Sequence, residues 1–206
     1  MEAPGLLLVV GANGAGKSTY CRYFFERLPD RFFDADQIAQ ELGDYNDPAL
    51  QRRAALIVAR RVSNCLRENR SFGIETTYSG NSPLKLVRKA CEQGYRTQVI
   101  FIGTHSPRIN VSRVRRRVAD GVGHDVADSE IQRRWTACQN NLVRTANFFE
   151  HIRLLDNSND RWVEAGELVA GRVVRLAPKE VSWAENLLNR ILAARESNQH
   201  LNASQP

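Results

Sequence analysis

The string Gly11-Ala12-Asn13-Gly14-Ala15-Gly16-Lys17-Ser18 constrains this chain more than any other feature. It fits G-x-x-x-x-G-K-[ST], follows an apolar run over residues 6–10, and leads into a helical pattern over 19–25. A strand, a glycine-rich loop and a helix in that order make a phosphate-binding P-loop. The glycines let the backbone curl until successive N–H groups point at one oxyanion, and the helix N-terminus adds its dipole. Gly11, Asn13, Gly14, Ala15, Gly16, Lys17, Ser18 and Thr19 are therefore the expected nucleotide-binding residues. Lys17 is placed to reach the β- and γ-phosphates, and Ser18 to put its hydroxyl on Mg²⁺. ATP or GTP binding is the first expectation.

With 206 residues, 42% of them apolar, the chain can bury one good core. The expected organisation is a single domain over 1–196 with a polar, flexible tail over 197–206. The longest apolar run is too short to span a bilayer, and no secretory pattern precedes the first strand. Cys21, Cys65, Cys91 and Cys138 show neither CxxC nor metal-ligand spacing, so they read as reduced packing residues of a cytoplasmic protein. Net charge is +6 and almost every cation is an arginine; lysine stands only at 17, 85, 89 and 179. Genomic base composition explains that bias, and so does a preference for phosphate-bearing partners, which guanidinium binds bidentately.

Strand and helix patterns alternate along the chain. Strands are expected over 6–10, 31–33, 71–75, 97–102 and 152–156, with helices over about 17–28, 48–68, from 82 to Gly94, 106–120 and 128–149. A β-hairpin turning at Ala165-Gly166-Glu167 and a closing helix over 182–194 follow. The fold class is α/β: a P-loop NTPase fold with a parallel five-stranded sheet flanked by helices, a helical lid over about 106–148, and a C-terminal hairpin plus helix. Ligands of such sheets sit beyond the carboxyl ends of the strands. The P-loop, Asp34, Asp36, Glu75 and Asp156-Asn157-Ser158 all fall there.

Phosphoryl transfer needs a group that orients or deprotonates the acceptor, and cations over the γ-phosphate. Asp36 is the candidate for the first task; the alternative is that it caps the helix starting at Gln37, and Asp34 is the other acid available for that structural task. Glu75 and Thr77 are candidates for holding substrate hydroxyls, or water on Mg²⁺, with a strand-end surface acid as the plainer reading of Glu75. Arg113, Arg116 and Arg117 share a helix face, and Arg133-Arg134 follow on the next helix. They suit a lid that closes on a triphosphate, although charge runs are commonly solvated faces. Aromatics are not interleaved with the run, which argues against a nucleic-acid surface. His124, without a second ligand at metal spacing, reads as a hydrogen-bonding lid residue.

Taken in order, these pieces resemble the zeta-toxin family of P-loop kinases. The similar segments include residues 11–19, Asp34-Ala35-Asp36-Gln37-Ile38-Ala39, Glu75-Thr76-Thr77-Tyr78-Ser79, Gly123-His124-Asp125-Val126, Ile131-Gln132-Arg133-Arg134 and Asp156-Asn157-Ser158. Val122 separates glycines that are adjacent in the family, and Ala127 stands where the family has proline. The resemblance implies an ATP- and Mg²⁺-dependent kinase acting on the 3′-hydroxyl of a UDP-amino-sugar such as UDP-N-acetylglucosamine. Asp36 would activate the acceptor, Glu75 and Thr77 would contact substrate, and Arg117 and Arg134 would clamp phosphate, with Arg133 as the other choice. Asn157 would lie near the adenine. Some members have a helical antitoxin as partner. Two other readings stay open: a P-loop ATPase or switch module acting through a partner, and a kinase for nucleic-acid ends.

Overall fold

The computed structural model describes residues 2–44, 46–121, 123, 125–159, 161–176 and 181–203, with side chains as far as residue 197. Its strands are β1 (Gly5–Val10), β2 (Phe32–Asp34), β3 (Phe72–Thr76), β4 (Arg96–Gly103), β5 (His151–Asp156), β6 (Val163–Val169) and β7 (Arg172–Arg175). The helices are α1 (Lys17–Tyr23), α2 (Ala35–Leu42), α3 (Pro48–Arg67), α4 (Ser82–Glu92), α5 (Pro107–Ala119), α6 (Asp128–Thr145) and α7 (Ser182–Ala203). The seven strands form one sheet in the order β2-β3-β1-β4-β5-β6-β7. The first five strands are parallel, as expected. The sheet does not stop there: β6 and β7 continue it antiparallel from β5, so it is seven-stranded and mixed.

Two further expectations change. The hairpin turns at Ala170-Gly171, not at Gly166, which lies inside β6. Gly166 is needed for packing: a Cβ there would sit 2.6 Å from Leu188 Cδ1 of α7. The closing helix also runs on to Ala203 instead of ending near Ala194, so the segment expected as a flexible tail is helical through that residue. At the other end α1 stops at Tyr23, and a 3₁₀ turn over Phe25–Arg27 replaces its predicted continuation to Leu28.

Alternation along the central strands sorts the core into two faces. Leu6, Leu8, Val10, Phe72, Ile74, Val99, Phe101 and Leu154 point to one face, where α3, α4, α6 and α7 pack through residues such as Leu66, Val87, Leu142 and Leu187. Val9, Ile100, Ile102 and Leu155 point to the other, which α1 covers with Tyr20 and Cys21. Helix starts follow local chemistry. Asp47 Oδ1 accepts from Ala49 N at 2.7 Å ahead of Pro48, and Ser106 Oγ accepts from Arg108 N at 3.3 Å ahead of Pro107. The second half of α6 buries Cys138 and Leu142 in the main core.

Candidate active site

Parallel register delivers the key residues to one rim. Val10 is level with Thr76 and Phe101, Asp34 with Glu75, and Gly103 with Asp156. The chain leaves β1 through the glycine loop and enters α1 at Lys17. Gly14 and Gly16 have φ of 76° and 96°, where a side chain is strained. An added Cβ would also come within 2.4 Å of Asn110 O or 2.2 Å of Asn157 Nδ2, respectively.

Side chains from three elements brace the loop. Asn110 Nδ2 of α5 donates to Asn13 O at 2.7 Å, Asn157 Nδ2 donates to Ala15 O at 2.8 Å, and Arg134 Nη1 of α6 donates to Asn13 Oδ1 at 3.0 Å. Asn157 therefore holds the loop from beside it. Ser158 is tied as well, donating to Asp156 Oδ1 at 2.7 Å and accepting from His105 N at 2.9 Å. The indole of Trp183 in α7 donates to the same Asp156 oxygen at 2.7 Å.

Lys17 Nζ donates to Ala12 O at 3.3 Å and lies 3.9 Å from Glu75 Oε1, which also accepts from Ser18 Oγ at 2.9 Å. The other oxygen of Glu75 is buried and has no hydrogen-bond partner. A buried carboxylate oxygen left in that state is costly. The Ser18 hydroxyl and Glu75 are hard oxygen donors beside the anion cradle, a set that fits Mg²⁺ completed by nucleotide phosphates and water. Among the described residues no group of three or more His, Cys, Asp or Glu could hold a metal by itself.

The two acids after β2 differ in their surroundings. Asp34 is the cap of α2, its Oδ1 accepting from Asp36 N at 2.9 Å. Burial, together with the charges of Glu75 and Asp36, pushes its carboxyl up to about 7. Asp36 sits in the first turn of α2 and lines the cleft that also holds Lys17, Ser18 and Glu75.

Arg113, Arg116 and Arg117 of α5 line that same cleft, of about 460 Å³. Arg113 also reaches Gly14 O and Ser158 O, each at 3.5 Å. Arg115 turns away to Asp128, with Nε 3.2 Å from Oδ1. Of the second pair, Arg134 is the one at the loop; Arg133 is exposed and paired with Glu130 at 2.6 Å. Glu130 also holds Arg134 Nε at 2.7 Å, and the two guanidinium groups keep its carboxyl well below the usual range. The Thr77 hydroxyl lies 3.0 Å from that of Ser79. His124 and Val122 fall outside the described residues.

Two contributors carry no signal in the sequence. Asn110 is an ordinary polar residue of a helix until the fold sets it against Asn13. Trp162, after β5, lines the nucleotide cleft and packs its ring against Tyr20, Tyr23 and Phe24 at centroid distances of 5.7, 5.6 and 5.9 Å.

With this geometry in view, residues 6–139 match the model of the AAA domain family AAA_33. The chain belongs to this family. An uncharacterized protein of Haemophilus influenzae is 30% identical to this AAA domain over 125 residues, covering 61% of the chain and 88% of that relative. A Mus musculus protein named "Probable gluconokinase" is 49% identical over 41 residues, which are 20% of this chain and 22% of the mouse protein. Among solved structures, the AvrRxo1-ORF1:-ORF2 complex aligns with TM-score 0.63 at 12% identity, covering 90% of the chain and 63% of that one. The PezAT toxin–antitoxin system of Streptococcus pneumoniae aligns with TM-score 0.53 at 19% identity, covering 93% and 88%. At such identities the likeness is one of fold, that of α/β P-loop NTPases. No described helix of the AAA domain is long and apolar enough to cross a membrane.

Proposed function

We propose that this AAA domain is an ATP-dependent kinase that moves the γ-phosphoryl group to a hydroxyl of a small molecule. One observation carries the reading: Lys17 and Ser18 of the cradle share a single cleft with Asp36 and Glu75, and Arg113, Arg116 and Arg117 line the same cleft. A phosphate holder alone needs one acid for its metal, which Glu75 can supply, and has no use for a second carboxylate, Asp36, in the same cleft. A transferase needs one to take a proton and guanidinium groups to meet charge developing on the transferred group.

In the proposed reaction Asp36 accepts the acceptor's hydroxyl proton while that oxygen bonds to the γ-phosphorus. The bond to the β,γ-bridging oxygen breaks and ADP leaves. Lys17, Arg117 and Arg134 stabilise the phosphate oxygens, and the loop N–H groups hold the chain of phosphates in line. Ser18 and Glu75 would hold Mg²⁺, which would supply neutralisation of phosphate charge. Two readings favour a finer assignment. The motif series resembles that of kinases acting on UDP-amino-sugars, which makes a sugar hydroxyl the favoured acceptor, and the likeness to the PezAT system supports a protein partner of the antitoxin kind.

The test is product mass. The full chain, ATP, Mg²⁺ and a panel of hydroxyl compounds are incubated, and the expected result is an acceptor heavier by one phosphoryl group. Release of ADP and free phosphate alone across the panel returns the protein to the switch reading.

A further inference from the structure

A second cleft, of about 910 Å³, opens on the other side of Asp36. It shares Ser18, Thr19, Asp36, Glu75 and Arg117 with the nucleotide cleft, so its occupant meets the terminal phosphate at Asp36. We propose that this cleft takes an unphosphorylated sugar or amino sugar, neutral or cationic, in place of a sugar nucleotide or a sugar acid. The inference rests on the kinase reading above and names the substrate class for the same site.

Charge is the first argument. The cleft is lined by the carboxylates of Glu26, Asp30, Asp36 and Glu75, and by Asp34, partly protonated at neutral pH, against the guanidinium groups of Arg22 and Arg117. Arg117 also lines the nucleotide cleft, which leaves Arg22 as the one cation lining this cleft alone among the described residues. A diphosphate or a carboxylate bound here would face like charge on most sides, and such juxtaposition is a strong means of rejection. An ammonium group or a bare ring would not.

Hydrogen-bonding character is the second. Helix α2 presents Asp36, Gln37 and Gln40 to the cleft, a carboxylate followed by two amides, of which Gln37 also donates to Glu41 Oε1 at 3.1 Å. Carboxylate oxygens accept and amides both donate and accept, which is what adjacent ring hydroxyls require. Glu75, its side chain 4% exposed with one oxygen unpartnered, adds a buried acceptor at the shared end.

The third is an apolar surface. Phe25 stands 67% exposed on the wall, with Phe32 beside it in the lining. An exposed flat ring among carboxylates and amides is the complement of the C–H face of a pyranose. The same ring gives nothing to a phosphate.

The experiment compares kcat/KM for glucosamine, glucose, N-acetylglucosamine, gluconate and UDP-N-acetylglucosamine, using the full chain with ATP and Mg²⁺. The best of the first three should exceed both anionic compounds at least tenfold. The double charge reversal Glu26→Lys with Asp30→Lys, at two exposed positions, should move that ratio toward gluconate by tenfold or more and leave the KM for ATP unchanged. Preference for either anionic compound overturns the inference, as does a ratio indifferent to the reversal. Phosphoryl transfer confined to a hydroxyl compound that is not a sugar overturns the inference and leaves the kinase standing. ATP turnover with no phosphorylated acceptor removes the kinase reading and this inference with it.

Discussion

Asp34 and Asp36 are two residues apart and have different work. Asp34 spends its Oδ1 on the first turn of α2, while Asp36 keeps its carboxylate for the cleft. Asp36→Asn is expected to lower kcat by about 10²–10⁴-fold with little change in the KM for ATP, the usual worth of a positioned acid–base group; steady-state kinetics with a phosphorylated acceptor as readout check this. Asp34 makes a separate prediction about stability. Its carboxyl titrates near 7 in the folded protein and near its ordinary value when unfolded, so between these limits the native state holds the extra proton. Stability from this group is then greatest at the acid end and declines as pH rises towards 7. Asp34→Asn keeps the cap and removes the buried charge. Its Tm gain, measured by calorimetry in EDTA, should be larger at pH 8 than at pH 5.

At the scale of elements, α5 is sorted by face. Arg117 lines both clefts, whereas Arg115 on the same helix pairs outward with Asp128. Arg117→Ala should reduce kcat by about 10²-fold or more, as loss of one stabilising donor does, and Arg115→Ala should stay within about twofold. The helical spacing of 113, 116 and 117 made this face legible beforehand, just as the apolar runs and the glycine loop made the parallel strands legible. These are local signals. What stayed hidden depends on partners far along the chain. Asn110 braces a loop some hundred residues earlier, and Trp162 joins an aromatic cluster built on α1. Gly166 reads as a turn in the sequence because glycine marks both turns and tight packing, and only the position of Leu188 decides between them. The tail offered no apolar pattern from which its helix could be read.

Across the whole molecule, the family match ends at residue 139, before β5, β6, β7 and α7. Those elements are no appendage. Leu187, Leu188 and Ile191 of α7 are fully or nearly fully buried in the same core as Leu8, Phe101 and Leu154. A fragment of residues 1–160 would expose that face of β5 and leave it a bare edge strand. It is expected to lack the near-UV circular dichroism and cooperative unfolding expected of the full chain.

The indole of Trp183 anchors Asp156, and the next residue, Asn157, grips the backbone of Ala15. Energetic coupling between two places is reciprocal. Filling the glycine loop with nucleotide should therefore slow deuterium uptake along α7, and Trp183→Phe should weaken nucleotide affinity without touching the cleft. The last helix of the chain thus serves as a remote dial on how tightly its first loop keeps an anion.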